Sequence, residues 1–200
     1  MNKTNKNQIG AIDIIGYFAI VLIVVSLFFI GMKITGYAAT TDTAVVNVTV
    51  STSGAINFTV DFINFGTGSV DSGKAGALLN TENSVTNGSW TPISTPLVLE
   101  NIGNVNVTLA LASSKNASSF IGGLAPTFKV KVADKSGEAG SCVTPGASSY
   151  TELTTANLTV CSPLQFNNSL DEVDIDIQLY IPSDSSSGGL TTTITATGTY

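Results

Sequence analysis

The sequence predicts an all-β protein: an immunoglobulin-like or jelly-roll β-sandwich preceded by one N-terminal transmembrane α-helix. After residue 36, apolar and polar residues alternate with a period of two in about eight segments, as they do in half-buried strands. Clusters of Gly, Ser, Asn and Pro separate these segments, and one long uncharged apolar stretch precedes them. We therefore divide the chain into a short basic leader (residues 1–10), a hydrophobic transmembrane helix (11–36) and an extracellular β-sandwich domain (37–200).

The apolar stretch runs from Ile14 to Met32, 19 uncharged residues between Asp13 and Lys33. As a helix it would be about 28 Å long, close to the hydrocarbon thickness of a bilayer. Lys3 and Lys6 precede it, and positive charge favours the cytoplasmic side of a membrane. We therefore expect the N-terminus inside the cell and the residues after Lys33 outside.

A basic leader, a glycine and an apolar helix with one early acid open the chain, in the order Lys3-Thr4-Asn5-Lys6-Asn7-Gln8-Ile9-Gly10-Ala11-Ile12-Asp13. This arrangement resembles the start of archaeal type IV pilins and archaellins. The resemblance implies that a peptidase cuts between Gly10 and Ala11. It also implies that the helices then pack in the core of a filament, each carrying a β-rich head. Two positions differ from the family: Ile9 replaces the usual basic residue before the Gly, and Asp13 would be third in the mature chain instead of fifth.

Two other interpretations of this segment stay open. The helix can be a retained anchor that holds the protein in the lipid bilayer. Alternatively it is a secretory signal, because Gly36-Tyr37-Ala38 places small residues at the −3 and −1 positions of a cleavage after Ala38. All three interpretations export the β-rich part of the chain.

The strand predictions rest on the alternation of apolar and polar residues. The clearest segments are Val46–Val50, Ile56–Phe62, Val105–Leu111, Phe128–Val132 and Val173–Leu179. Shorter candidates are Leu97–Glu100, Leu158–Cys161 and Leu190–Thr199. One apolar and one polar face on each strand suit two sheets packed face to face.

The stretch from Gly66 to Pro96 is long, polar and poorly patterned, and it contains Trp90, the one tryptophan of the chain. We expect a surface excursion in which Trp90 packs against the sandwich. A partner-binding loop is the alternative, because binding residues concentrate on loops.

Cys142 and Cys161 are the two cysteines, and both lie in the part predicted to be exported. An oxidising exterior favours a disulfide between them, and the chain-entropy model assigns such a loop about 3 kcal/mol of stabilisation. Two free buried thiols are the alternative. A metal site is not expected from two cysteines in a chain without histidine.

Seven asparagines stand in the Asn-x-Ser/Thr motif of N-glycosylation: Asn47, Asn57, Asn87, Asn106, Asn116, Asn157 and Asn167. Residues i and i+2 of a strand share a face, so at four of these sites the Asn and its hydroxyl residue both point away from the predicted core. The alternative is that Thr simply suits a solvated strand face. Strands disfavour Asn, however, so we expect glycosylation at some of the sites.

The charge of the chain excludes one class of partner. From Tyr37 onward there are five lysines and thirteen acidic residues, a net charge of −8, and the whole chain lacks Arg and His. Such a surface repels phosphate backbones, so nucleic-acid binding is not expected. The commonest general base is missing, as are a Gly-x-Ser-x-Gly elbow and a phosphate-binding Gly-Lys-Ser/Thr motif. We therefore predict a non-enzymatic protein without a cofactor.

The best candidates for metal ligation are two carboxylates on one strand face, Asp174 and Asp176, whose oxygens suit Ca²⁺. A solvated acidic face that discourages strand aggregation is the alternative, and the plainer one. The group of Asp134, Ser136 and Glu138 around Gly137 likewise predicts a hairpin turn first and a Ca²⁺ loop second.

Together these features indicate a structural or adhesive protein at the cell membrane or in a cell-surface filament. It would be a membrane-anchored surface protein, a pilin-like filament subunit that starts at Ala11, or a secreted glycan- or protein-binding module released after Ala38. The expected partners are the lipid bilayer and other copies of the same chain.

Overall fold

The computed structural model describes residues 16–23 and 45–200. The chain divides into two units, Met1–Thr49 and Val50–Tyr200. In the first unit, residues 16–23 form an α-helix, here called α1.

Most of the N-terminal prediction lies outside the described residues. This applies to the leader, to the cleavage candidates Gly10 and Ala11, to the segment Gly36-Tyr37-Ala38, and to the predicted helix on either side of α1. Within the two described ranges, no helix combines the length and the apolar character that a membrane crossing requires.

The second unit is built almost entirely of β-structure, which confirms the all-β prediction. Its strands are β1 (Asn57–Val60), β2 (Gly76–Asn80), β3 (Ser84–Thr86), β4 (Leu97–Glu100), β5 (Val107–Ser113), β6 (Thr127–Asp134), β7 (Thr151–Glu152), β8 (Leu158–Leu164), β9 (Glu172–Pro182) and β10 (Ile194–Thr199). A single helical turn, α2 (Ala117–Phe120), follows β5, and the side chain of Asn116 caps its start.

The larger sheet is organised around β9, its longest strand. One side of β9 pairs with β6. The other side pairs with β4 near the start of β9 and with β2 near its end, so β4 and β2 lie end to end. The sheet continues from β4 to β1, from β2 to β3 and from β6 to β7. The smaller sheet has the order β10-β5-β8, and the pairings in both sheets are antiparallel.

The two sheets form a β-sandwich because each turns an apolar face towards one shared core. The inward residues of β9 are at most 6% exposed, as the alternation predicts: Val173, Ile175, Ile177 and Leu179. The inward residues of β5 and β6 are equally buried: Val107, Leu109, Leu111, Phe128, Val130 and Val132. Burying one such side chain contributes about 1.5–3 kcal/mol, so this core supplies the main driving force for folding.

The predicted strand Val46–Val50 is wrong, because residues 45–50 pair with no strand among the described residues. Val46, Val48 and Val50 are 89, 85 and 77% exposed. Alternation makes a segment fit for a sheet, but a strand also needs a neighbour for its backbone N–H and C=O groups, and here none is provided.

The prediction of a surface excursion between Gly66 and Pro96 is wrong for part of the stretch. This stretch contains the hairpin β2–β3, and β2 pairs directly with the central strand β9. Ala77 and Leu79 are completely buried. Trp90 nevertheless packs as expected: its ring lies so close over Gly68 and Gly88 that a Cβ atom at either glycine would approach it to 2.4 and 2.8 Å.

Strand β1 is shorter than predicted. The register shifts between Phe58 and Val60, and the strand ends at Val60. Phe62, predicted to face the core, is 72% exposed, and Ile63 and Phe65 pack against the core instead. The irregularity reverses the faces of the chain beyond it, which the alternation alone does not indicate.

Candidate modification and interaction sites

Cys142 and Cys161 form the predicted disulfide, with their Cα atoms 5.6 Å apart. Cys161 belongs to β8, and Cys142 lies against the same strand through a bridge to Leu164. Both residues are at most 5% exposed. The bond therefore fastens the loop after β6 to an edge strand of the smaller sheet.

The structure places all seven acceptor asparagines on the surface. Each belongs to the exposed class: Asn47, Asn57, Asn87, Asn106, Asn116, Asn157 and Asn167. They are spread over different elements: β1 carries one, a turn with positive φ at Asn87 carries another, and the cap of α2 carries a third. Six of the acceptor positions are therefore spread over different elements of the sandwich, and Asn47 lies in the first unit.

The side-chain amides of these seven residues are also free to react. Within the described part of the chain, none of the seven donates a hydrogen bond through Nδ2, and Asn116 alone accepts one through Oδ1, from the Ser119 amide. Other asparagines differ in this respect. Asn101 and Asn104 donate through Nδ2, and the side chains of Asn64 and Asn80 cap local turns. Apart from Asn116, whose side chain caps α2, the acceptor asparagines are thus distinct from the asparagines that form structural side-chain hydrogen bonds.

Asp176 does not lie on a solvated face, which corrects the plainer interpretation of this carboxylate. It is 9% exposed and accepts a hydrogen bond from Thr81 Oγ1 at 2.7 Å. Its second oxygen lies 3.5 Å from Lys131 Nζ. The Thr81 hydroxyl accepts the Ile177 amide at 3.0 Å, so the group closes a small buried network beside β9.

Asp174, the other Ca²⁺ candidate, shares the strand face of Asp176. Burial raises its pKa, the cation of Lys135 opposes that shift, and the carboxylates of Asp176 and Glu172 add to it. Among the described residues, no three or more His, Cys, Asp or Glu side chains are arranged to hold a metal ion. The pair is therefore brought together, but the carboxylate of Asp176 is already bound by protein donors.

The second Ca²⁺ candidate forms the turn that the sequence predicts first. Asp134 accepts the backbone amides of Gly140 and Cys142 through its two carboxylate oxygens, at 2.6 and 2.8 Å. Glu138 accepts the amides of Asp171 and Glu172 through Oε2 at 3.0 and 2.8 Å. Asp134 thus holds the loop that follows β6, and Glu138 ties this loop to the start of β9.

Four carboxylates meet at this end of the larger sheet: Glu100, Glu138, Asp171 and Glu172. Burial and the neighbouring negative charges raise the pKa of Glu100 and of Asp171. Lys135 Nζ lies 2.8 Å from Glu172 and offsets part of the repulsion. These four residues form an acidic end of the sandwich, where mutual repulsion and burial of the carboxylates destabilise the folded state at neutral pH.

Lys131 is a residue whose position the sequence did not reveal. It forms an ion pair with Glu82, its Nζ lies 5.3 Å from the centre of the Tyr150 ring, and the Tyr150 hydroxyl donates to Glu82 Oε2 at 2.8 Å. Burial works against the Lys131 charge, but the carboxylates of Glu82 and Asp176 outweigh it and raise the Lys131 pKa. Burial and the same carboxylates raise the pKa of Tyr150. Both Lys131 and Tyr150 are therefore held protonated at neutral pH.

Helix α1 exposes apolar side chains on all sides. The exposed fractions of Tyr17, Phe18, Ile20, Val21 and Leu22 lie between 55 and 74%. At Gly16 an added Cβ would meet no atom within 4 Å. A helix that is apolar all round is normally covered by lipid or by other helices.

An open depression of about 370 Å³ lies at the opposite end of β9 from the acidic end, and its lining includes Leu124, Tyr180, Pro182 and Asp184. Leu124 is 78% exposed and its amide donates to Asp184 Oδ1 at 3.0 Å.

Comparison with protein-family models, with curated proteins and with solved structures gives no match to this chain.

Proposed function

We propose that this chain is a non-enzymatic cell-surface protein, anchored in the membrane by its N-terminal helix, whose exported sandwich has a structural or adhesive role. Within this proposal the sandwich is of the immunoglobulin-like or jelly-roll type and lies outside the cell. The observation that carries the proposal is the exposure of all seven acceptor asparagines, with their amide nitrogens free. The disulfide adds support, because such bonds persist in oxidising compartments.

The sidedness of the sandwich can be tested on intact cells with an amine reagent that does not cross membranes. Lys74 is exposed on the sandwich, whereas Lys3 and Lys6 belong to the leader. We expect Lys74 to react on intact cells, and the leader lysines, if the leader is retained, to react only after lysis. Labelling of Lys74 that requires lysis would contradict the proposal.

The glycan acceptors can be tested by mass spectrometry of peptides from the native protein. We expect added mass at one or more of the seven acceptor asparagines. Asn64 and Asn168 are exposed but lie outside the acceptor motif, so they serve as matched controls and should carry none. An unmodified protein at all seven positions would show that the exposure of these asparagines does not reflect glycosylation, and the proposal would lose its main support.

A pilin-like filament subunit is the second candidate function, and the apolar surface of α1 favours it. Side chains such as Phe18 and Leu22, at 70 and 65% exposed, need a cover that neighbouring helices in a filament core would supply. This candidate also rests on the resemblance of the leader to archaeal pilins, with cleavage between Gly10 and Ala11.

The native N-terminus separates the candidates. An intact Met1 supports a retained anchor, Ala11 supports the filament subunit, and Ala39 supports a secreted binding module. The variant Gly16→Trp adds a second test, because a Cβ atom added at Gly16 meets no described atom within 4 Å in the single chain. In a filament core it would block helix packing and abolish assembly, whereas Gly189→Trp, at an equally open position of the sandwich, should not. Normal filaments from Gly16→Trp would contradict the helix-core model.

A further inference from the structure

Strand β10 is an open and unprotected edge of the sandwich. It pairs with β5 along its whole length from Ile194 to Thr199 and is the end strand of its sheet. Proteins usually guard such edges with charged residues, proline or a bulge. β10 contains no charge and no proline, and its register with β5 is regular.

The core beneath this edge is incompletely covered. Ile194 and Ala196 face inward but remain partly exposed, as do Phe58 of β1, the end strand of the other sheet, and Ile56 just before it. The two end strands lie on the same side of the sandwich, since a Cβ atom at Gly198 would be 3.3 Å from Ile56 Cγ2. One more strand beside β10, with apolar residues facing inward, would cover this open side.

The chain itself carries a segment that fits this edge. Residues 45–50 are uncharged and unpaired, and Val46, Val48 and Val50 alternate with Asn47 and Thr49. The segment has six residues, the same number as β10 and a common strand length. Val46, Val48 and Val50 would share one face in a strand and would continue the inward row of Ile194 and Ala196, whereas Val45 would lie on the other face.

We propose that residues 45–50 of one copy of this chain bind as an added strand to the open edge of β10 in a second copy. The backbone hydrogen bonds would provide the affinity, and the valines would cover the half-buried core. Each copy has one such segment and one such edge, so the contact is head-to-tail and joins copies into a closed ring or an open chain, according to the rotation between them.

The structure also indicates why the segment is well placed to bind. Directly after it, Asn104 holds Ser51 and Ser53 by three hydrogen bonds of 2.6 to 2.9 Å. The chain is thus fixed to the sandwich directly after the segment. Among the described residues the segment pairs with no strand, so its backbone groups are open to the edge of a second copy.

This inference goes beyond the proposed function, because it assigns the surface through which copies associate and does not depend on glycosylation or on leader cleavage. Its test is hydrogen–deuterium exchange on the full-length protein in detergent micelles at rising protein concentration. We expect exchange at residues 45–50 and in β10 to slow by at least about tenfold as copies pair.

The variant Val46→Lys/Val48→Lys places charge on the segment without disturbing the fold, since both side chains are more than 80% exposed. It should remove the slowing in β10, although β10 is unchanged. Ile102→Lys/Val143→Lys is the matched control, because these side chains are 56 and 57% exposed elsewhere on the sandwich and the slowing should persist.

Three results would overturn the inference. Protection of β10 that does not depend on concentration would indicate pairing within one chain. Protection that survives in the lysine variant would indicate a different strand on the edge. Association of copies while β10 exchanges freely would place the contact elsewhere, for example between helices. The labelling of Lys74 on intact cells reports separately on the proposed function, so the two failures are distinguishable.

Discussion

The side-chain nitrogen of Asn101 donates to the carbonyl of Gln165 at 3.0 Å and thereby ties the larger sheet to the smaller one. Asn101 directly follows β4, and Gln165 directly follows β8. The same nitrogen also contacts the carbonyls of Val105 and Leu164, and Oδ1 accepts the Gly103 amide. Asn101 is 1% exposed, so these bonds are made away from water, where an unpaired backbone group is costly.

The variant Asn101→Ala should therefore lower the free energy of unfolding by about 2–3 kcal/mol, because it leaves buried carbonyls without a donor. Urea denaturation followed by tryptophan fluorescence measures this change. Asn168→Ala removes the same group from an exposed position without a side-chain hydrogen bond among the described residues and should change stability little. Equal losses in the two variants would show that the inter-sheet bonds are not important.

Strands with one apolar face could be predicted from sequence because burial on one side imposes a period of two. The alternation of Val173–Leu179 marked β9, the centre of the larger sheet, and Leu97–Glu100 matched β4. Strand β2 (Gly76–Asn80) was not predicted because it is short and mostly buried and its apolar and polar residues do not alternate. Residues 45–50 show the opposite case: apolar and polar residues alternate, but the segment pairs with no strand among the described residues.

The contacts between side chains could not be predicted because they join residues far apart in the chain. Lys131 of β6 forms an ion pair with Glu82, which lies in the β2–β3 hairpin that the alternation did not predict. Thr81 of the same hairpin covers Asp176. A sequence indicates which face of a strand a carboxylate occupies, but not which loop will cover that face. The disulfide was predictable because two cysteines in the sandwich left one possible pair.

Thr81 should prove important through its hydroxyl and not through its size. Thr81→Val keeps the shape but leaves the Ile177 amide without an acceptor and removes a donor to Asp176. We expect a loss of about 1–3 kcal/mol in the free energy of unfolding. Thr81→Ser keeps the hydroxyl and should retain most of that stability, and a serine variant as unstable as the valine variant would contradict the role of the hydrogen bonds.

The disulfide should stabilise the sandwich by limiting the freedom of the unfolded chain. Cys142→Ala/Cys161→Ala is expected to lower the free energy of unfolding by about 3 kcal/mol, measured by urea denaturation. A reducing agent should destabilise the wild-type protein to a similar degree and leave the alanine variant unchanged. Wild-type stability that reductant does not alter would show that the bond does not limit unfolding.

The acidic end should make the protein more stable in mild acid than at neutral pH. Burial raises the pKa of Glu100, Asp171 and Asp174, so the folded protein holds these protons more tightly than the unfolded chain. A carboxyl group with a raised pKa contributes stability at low pH that is lost as the pH rises through its folded-state pKa. The opposite case is Glu82, whose pKa is lowered by its hydrogen bond to Lys131, so its contribution is lost only as the pH falls below the ordinary value of 4.5.

The free energy of unfolding should therefore rise at low salt as the pH falls from 7 towards the ordinary glutamate pKa of 4.5, a window in which no histidine of this chain titrates because it has none. Glu100 faces Glu138, Asp171 and Glu172, so Glu100→Gln should stabilise the protein at pH 7 and reduce the rise. Glu152→Gln, on the exposed side of β7, is the matched control and should leave the rise intact. The effect should shrink as salt screens the exposed charges. A free energy of unfolding that falls from pH 7 to pH 5, or an identical rise in Glu100→Gln, would exclude repulsion at the acidic end as its cause.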